Sequence, residues 1–66
     1  MHWQEAVLKS KVNRAVRRTK DGRKVLRYQR GITLIEMRGG AGLRIAMGGE
    51  MEGHLDWEPD TPNLYL

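Results

Sequence analysis

At 66 residues with no cysteine, the chain has room for one domain, whose core must hold without disulfides or a zinc-type staple. Apolar residues make up 39% of it, yet no apolar run approaches the length of a signal core or a membrane span, which argues for a folded domain and against a spanning segment. The net charge of +4 is unevenly divided: residues 1–48 hold all 12 Lys and Arg against Glu5, Asp21 and Glu36, a balance of +9, and residues 49–66 hold five acids and no base, a balance of −5.

Residues 3–10 read as a short helix, because Trp3, Ala6 and Val7 recur at i, i+3 and i+4 and Glu5 precedes Lys9 by four. Val12, Ala15 and Val16 point the other way on the same wheel. A break near Ser10 or Lys11 is therefore expected, with residues 15–19 as the first strand. Asp21-Gly22 is a dipeptide that tight hairpin turns prefer, so residues 15–19 and 23–29 should pair antiparallel. Arg30-Gly31 is a second turn candidate, followed by a strand over 32–38 rich in β-branched residues. Gly39, Gly40 and Gly42 separate that strand from residues 43–47. Beyond Gly48-Gly49, the residues Glu50, Glu52, His54, Asp56 and Glu58 alternate with Met51, Gly53, Leu55 and Trp57. That period predicts a strand with an acidic outer face, broken by Pro59. The expectation is an α+β fold, a short N-terminal helix followed by a four- or five-stranded antiparallel meander sheet, as one domain over 1–60. Residues 61–66 are expected to form a tail or an arm docked on a neighbour.

Ten positive charges fall within residues 9–30 against Asp21 alone. Opposed strands of one hairpin crowd such charges, which repel unless an anion or an acidic partner sits among them. Two readings stand side by side: a phosphate site, which the guanidinium fork suits, and a solvated face neutralised by the acidic stretch 50–58. The candidate phosphate ligands are Arg14, Arg17, Arg18, Lys20, Arg23, Lys24, Arg27 and Arg30, joined by Arg38 and Arg44, which flank the glycine cluster. That cluster is either an amide nest for an anion or a permissive hairpin loop. Trp3, Tyr28 and Trp57 are candidates for stacking on a nucleobase, the alternative for both tryptophans being a place in the core. The alternating acids with His54 suit a solvated or salt-bridged face better than a metal or acid–base site, since no nucleophile stands beside a base in the sequence. Neither catalytic residues nor a metal or cofactor are expected.

Met1-His2-Trp3-Gln4-Glu5-Ala6-Val7, then Ala15-Val16-Arg17-Arg18, and late in the chain Asp56-Trp57 together resemble the layout of the Thoeris anti-defence 2 family of small phage proteins. The resemblance implies sequestration of a cyclic nucleotide immune signal in pockets between subunits, without catalysis, and by position it carries over Trp3, Arg17, Arg18 and Trp57. The expected function is thus a non-enzymatic, cytoplasmic, homo-oligomeric phage-type or mobile-element-type protein that binds an anionic nucleotide. The alternatives are a DNA- or RNA-binding protein using the basic hairpin, whose affinity falls steeply with salt, and a protein inhibitor of a host nucleic-acid-binding enzyme.

Overall fold

A computed structural model describes residues 1–62. One helix, α1 (Trp3–Lys9), precedes five strands: β1 (Arg14–Thr19), β2 (Gly22–Gln29), β3 (Ile32–Glu36), β4 (Leu43–Ile45) and β5 (Trp57–Pro59), with a 3-10 turn at Arg38–Gly40. Every pairing is antiparallel and the sheet order is β4-β3-β2-β1-β5. The α+β class is as the sequence predicts, and the first four strands form the expected meander. The last one leaves it. β5 crosses to the far edge and pairs with β1, setting Ala15 opposite Pro59 and Arg17 opposite Trp57.

The helix starts on His2, whose Nδ1 accepts from the Gln4 amide at 3.3 Å, and it ends at the expected break. Ser10 makes that break. Its buried hydroxyl donates to the Asp60 carbonyl at 2.6 Å and accepts from the Val12 and Arg14 amides at 3.3 and 3.2 Å. One donor and two acceptors are thereby all used, and the turn out of the helix is fastened to the chain leaving β5. Asn13, at φ 55, re-aims the backbone into β1.

Strand alternation puts Ala15, Leu26, Ile35 and Trp57 on the side of α1, where they pack with Trp3, Ala6, Val7 and Met51 as the core. Burying a side chain such as Leu26 contributes roughly 1.5–3 kcal/mol, so few residues carry the fold. The reverse face holds Val16, Val25, Leu34, Leu43 and Ile45, and no helix or strand covers it among the described residues.

The two hairpins turn differently. Arg30 and Gly31, at φ 53 and 79 between paired Gln29 and Ile32, form the left-handed two-residue loop that matches strand twist. In the first hairpin the turn sits one residue earlier than the sequence suggests. Thr19 pairs with Gly22, so Lys20 and Asp21 form the loop, and Gly22 opens β2 at φ 131, a conformation side chains resist.

The strand expected over residues 50–58 is a larger correction: only Trp57–Pro59 is paired. Residues 46–56 instead cross the α1 side of the sheet in successive turns, with Gly49 and Gly53 left-handed at φ 86 and 80 and Met51 dropped into the core. The period of two arises from turns, not from a pleat. Glu50, Glu52, His54, Asp56 and Glu58 therefore share no common face, and no group of three metal-type ligands exists among the described residues. Pro59 is the last residue of β5 and not a residue beyond it; on an edge strand its missing N–H loses no ladder bond. Strands β3 and β4 each stop two residues short of the expected ends. Of the expected arm, residues 63–66 lie outside the described residues. Among the described residues no helix is long and apolar enough to cross a membrane.

Candidate functional site

The β1–β2 register sets Arg14 opposite Arg27, Arg17 opposite Lys24 and Arg18 opposite Arg23, three like-charged pairs that cost stability as they stand. The far-edge placement of β5 relieves them. Asp56 accepts two bonds from the Arg17 Nε at 2.8 and 2.9 Å, Glu58 lies 3.4 Å from Arg18, and Asp60 lies 3.2 Å from Arg14. The Arg14 Nε is buried without an aligned hydrogen bond, so its tie to Asp60 is charge attraction without direction. Elsewhere Arg44 holds Glu50 through two bonds of 2.7 and 2.8 Å, and Glu50 also accepts from the Met47 amide at 2.9 Å. The Arg17 hydrogen bond holds the Asp56 carboxyl below the ordinary carboxylate range, and the Arg44 bond does the same for Glu50. The Glu50 bond in turn raises Arg44.

Five of the ten candidate phosphate ligands, Arg14, Arg17, Arg18, Arg38 and Arg44, thus have carboxylate partners inside the fold. The other five, Lys20, Arg23, Lys24, Arg27 and Arg30, have none among the described residues. All five lie on β2 or in the turns at its two ends.

β2 is the central strand, but β3 pairs only with its residues 26–29. Among the described residues, 22–25 have β1 on one side and no strand on the other. Where β3 peels away, the 3-10 turn and glycine loop swing out and leave a cleft of about 570 Å³ against the β1–β2 turn. Arg23, Lys24, Arg38 and Arg44 line it together with the exposed Met37, and the core residue Ile35 lies behind. Gly39 and Gly40, both left-handed at φ 75 and 74, curve the loop around the space, and the Met37 amide closes that loop on the Gly42 carbonyl at 2.8 Å. The Gly40 amide is itself used within the loop, donating to the Met37 carbonyl at 3.3 Å. The lining carries two acids, Asp21 and Glu36. Asp21 is engaged: its carboxylate meets Arg38 at 3.3 Å, joining the two lips of the cleft through a pair that is 84% and 76% exposed.

The sequence-derived set does not form one site. Arg23, Lys24, Arg38 and Arg44 line the cleft, but strand alternation sends Arg23 to the bare face of the sheet with Arg14 and Arg27, where it also borders a second hollow, and Arg30 turns the chain at the opposite end of β2. The stacking role considered for Trp3 and Trp57 is corrected, because both indoles are buried in the core, Trp57 to 1% exposure. Tyr28 is half-exposed, tilted against Trp3 at 6.4 Å, and does not line the cleft. Arg17 and Arg18, the cations carried over by the resemblance, are in ion pairs. Sequence reasoning missed Met37 at the cleft and the Asp21–Arg38 tie; the place of this methionine beside the glycine cluster was the available signal. Compared with protein-family models, curated proteins and solved structures, the chain matches none of them.

Proposed function

We propose that this protein binds a small phosphorylated ligand of the nucleotide class, without turning it over, in the cleft between the β1–β2 turn and the β3–β4 loop. The observation that carries this reading is that four cationic side chains line one concavity beside a stretch of β2 that β3 does not pair. Each part has a distinct role. Lys24 is an unpaired point charge for a phosphate, and Arg23 offers a free guanidinium fork. Arg44, fixed by Glu50, is a rigid wall. Arg38 exchanges Asp21 for the ligand. Met37, 40% exposed, gives a nucleobase an apolar surface. The Thr19 hydroxyl donates to the Gly22 carbonyl at 3.4 Å and no histidine lines the cleft, so the donor set supports holding an anion. In the phage counter-defence role that the resemblance implies, such a site withholds a signalling nucleotide from its receptor.

The test is calorimetric titration with pyrophosphate and with cyclic dinucleotides at two salt concentrations, beside duplex DNA. A ligand held through two phosphates loses roughly tenfold in affinity between 50 and 200 mM salt, whereas a polyanion held through six loses about 10³-fold. Saturable nucleotide binding with the shallow slope supports the reading. DNA binding with the steep slope, and no nucleotide binding, replaces it with the polynucleotide alternative.

A further inference from the structure

The hydrogen-bond phase of β2 is fixed at both of its ends. Thr19 and Gly22 close a two-residue loop, and the Tyr28 amide donates to the Asn13 carbonyl at 3.0 Å. Gly22, Lys24, Leu26 and Tyr28 therefore turn their backbone groups toward β1, and Arg23, Val25, Arg27 and Gln29 turn theirs away. Gln29 and Arg27 meet Ile32 and Leu34 of β3. Continued in that register, β3 would set Arg38 opposite Arg23, but Arg38 has left the sheet for the 3-10 turn. The N–H and C=O of Arg23, a residue lining the cleft, thus point side by side into it with no backbone partner among the described residues. The Arg23 side chain leaves toward the bare face, so what β2 fixes in the cleft wall is main chain.

We infer that this donor and acceptor read the base of the nucleotide held in the cleft. The N–H donates to a ring nitrogen or carbonyl of the base, and the C=O accepts from the amino or imino group beside it. The inference rests on the function proposed above and adds what the cleft recognises apart from phosphate. A phosphate oxygen only accepts, which leaves the Arg23 carbonyl unserved, whereas a nucleobase offers an acceptor next to a donor along one edge.

The length of the open edge selects a base over a peptide strand. Only Arg23 and Val25 direct groups outward there, and Glu36, the last residue of β3, already stands level with Val25. Strands usually run three residues or more; a flat base needs one. Paired edge-on, it continues the plane of the sheet where β3 leaves. Lys24 and Arg44 lie on the core side of that plane, in register with Arg17 and Ile35, and phosphates joined to the base through its sugar meet them there. The ligand class is accordingly a nucleotide with an unblocked base edge, in preference to sugar phosphates or inorganic polyphosphate.

Calorimetric titration tests this with pyrophosphate, adenosine diphosphate, guanosine diphosphate and two neutral analogues with blocked donors, N6,N6-dimethyl-ADP and N1-methyl-GDP. Two neutral hydrogen bonds together are worth roughly tenfold in affinity, so at least one parent nucleotide should bind about tenfold tighter than its blocked analogue. Arg23→Ala keeps the N–H and should keep that ratio, whatever it loses in overall affinity. Arg23→Pro removes the N–H, which takes no part in the β1 ladder, and should bring the ratio to one while pyrophosphate binds as it does to Arg23→Ala. If the proline variant does not fold, the ratio in Arg23→Ala decides alone: kept, it supports the main chain, and lost, it assigns the base to the guanidinium and overturns the inference. A folded Arg23→Pro with the wild-type ratio overturns it as well. Pyrophosphate binding with parents and blocked analogues equal in the wild type sinks the inference and leaves the cleft as an anion site; no binding by any of these ligands removes both. Binding of an extended acidic peptide, lost in Arg23→Pro, with no nucleotide bound, assigns the edge to strand addition and also overturns it.

Discussion

Replacing Asp21 with Asn should tighten the cleft's hold on an anion. In the free protein Arg38 is engaged by Asp21 at 3.3 Å, and a ligand phosphate must take its place. Both side chains are largely exposed, and exposed pairs contribute only about 0–1 kcal/mol. Removing the competitor should therefore improve affinity by at most about fivefold, since 1.4 kcal/mol corresponds to tenfold. The fold should barely notice, because neither residue belongs to the core. Calorimetric titration of wild type and variant with pyrophosphate, beside a urea melt of each, separates the two effects. Affinity for Asp21→Asn two- to fivefold higher at unchanged melting midpoint agrees with the exchange. Weaker binding in the variant would show that Asp21 organises the site and does not compete for it. An unfolded variant would show that the tie is structural, and either result refutes the reasoning.

Ser10→Ala removes a buried hydroxyl that serves three backbone groups, and leaving such groups unpaired should cost about 1–3 kcal/mol in urea denaturation; a shift below about 0.5 kcal/mol would place those bonds in water. Gly22→Val meets open space but a φ of 131, so backbone strain alone should destabilise it by roughly 1–3 kcal/mol, against an unchanged melting temperature if the turn relaxes. Asp56 and Glu50 titrate below the ordinary carboxylate range because of Arg17 and Arg44. Their folded values are depressed, so the stability they lend is fully present above the unfolded carboxylate range and is lost as pH falls through the lower folded values. Thermal melts from pH 7 downward should show that acid loss, and Arg17→Met should blunt it.

Much of the fold was legible because it depends on local signals. Trp3, Ala6 and Val7 defined the helix face, Ser10 its end, and the β-branched run with Arg30-Gly31 the second hairpin. The crossover was not legible, because alternation at period two identifies a strand only when each residue enters a ladder. Here Gly49 and Gly53 can turn left-handed and Met51 gains more by burial in the core than by pairing. Once that segment crosses the α1 side, the acids reach β1 from its far edge, which decides how Arg14, Arg17 and Arg18 are neutralised. Charge composition alone left neutralisation and phosphate binding open. The cleft depends on β3 pairing with half of β2, a long-range register effect that no local spacing encodes. Of the residues named from sequence, those that reach the cleft flank the glycines or begin β2, the two places where chain direction changes.

The claim that the cleft is the binding site is tested most directly by Lys24→Ala, which removes its unpaired lysine while Arg17, across the β1–β2 ladder, keeps Asp56. Titrated with a nucleotide that binds the wild type, the variant should lose at least tenfold in affinity with its melting temperature held, because a charge-assisted bond to phosphate contributes about 1.5–3 kcal/mol. Equal affinity in wild type and Lys24→Ala would contradict the account and place the ligand elsewhere on the protein.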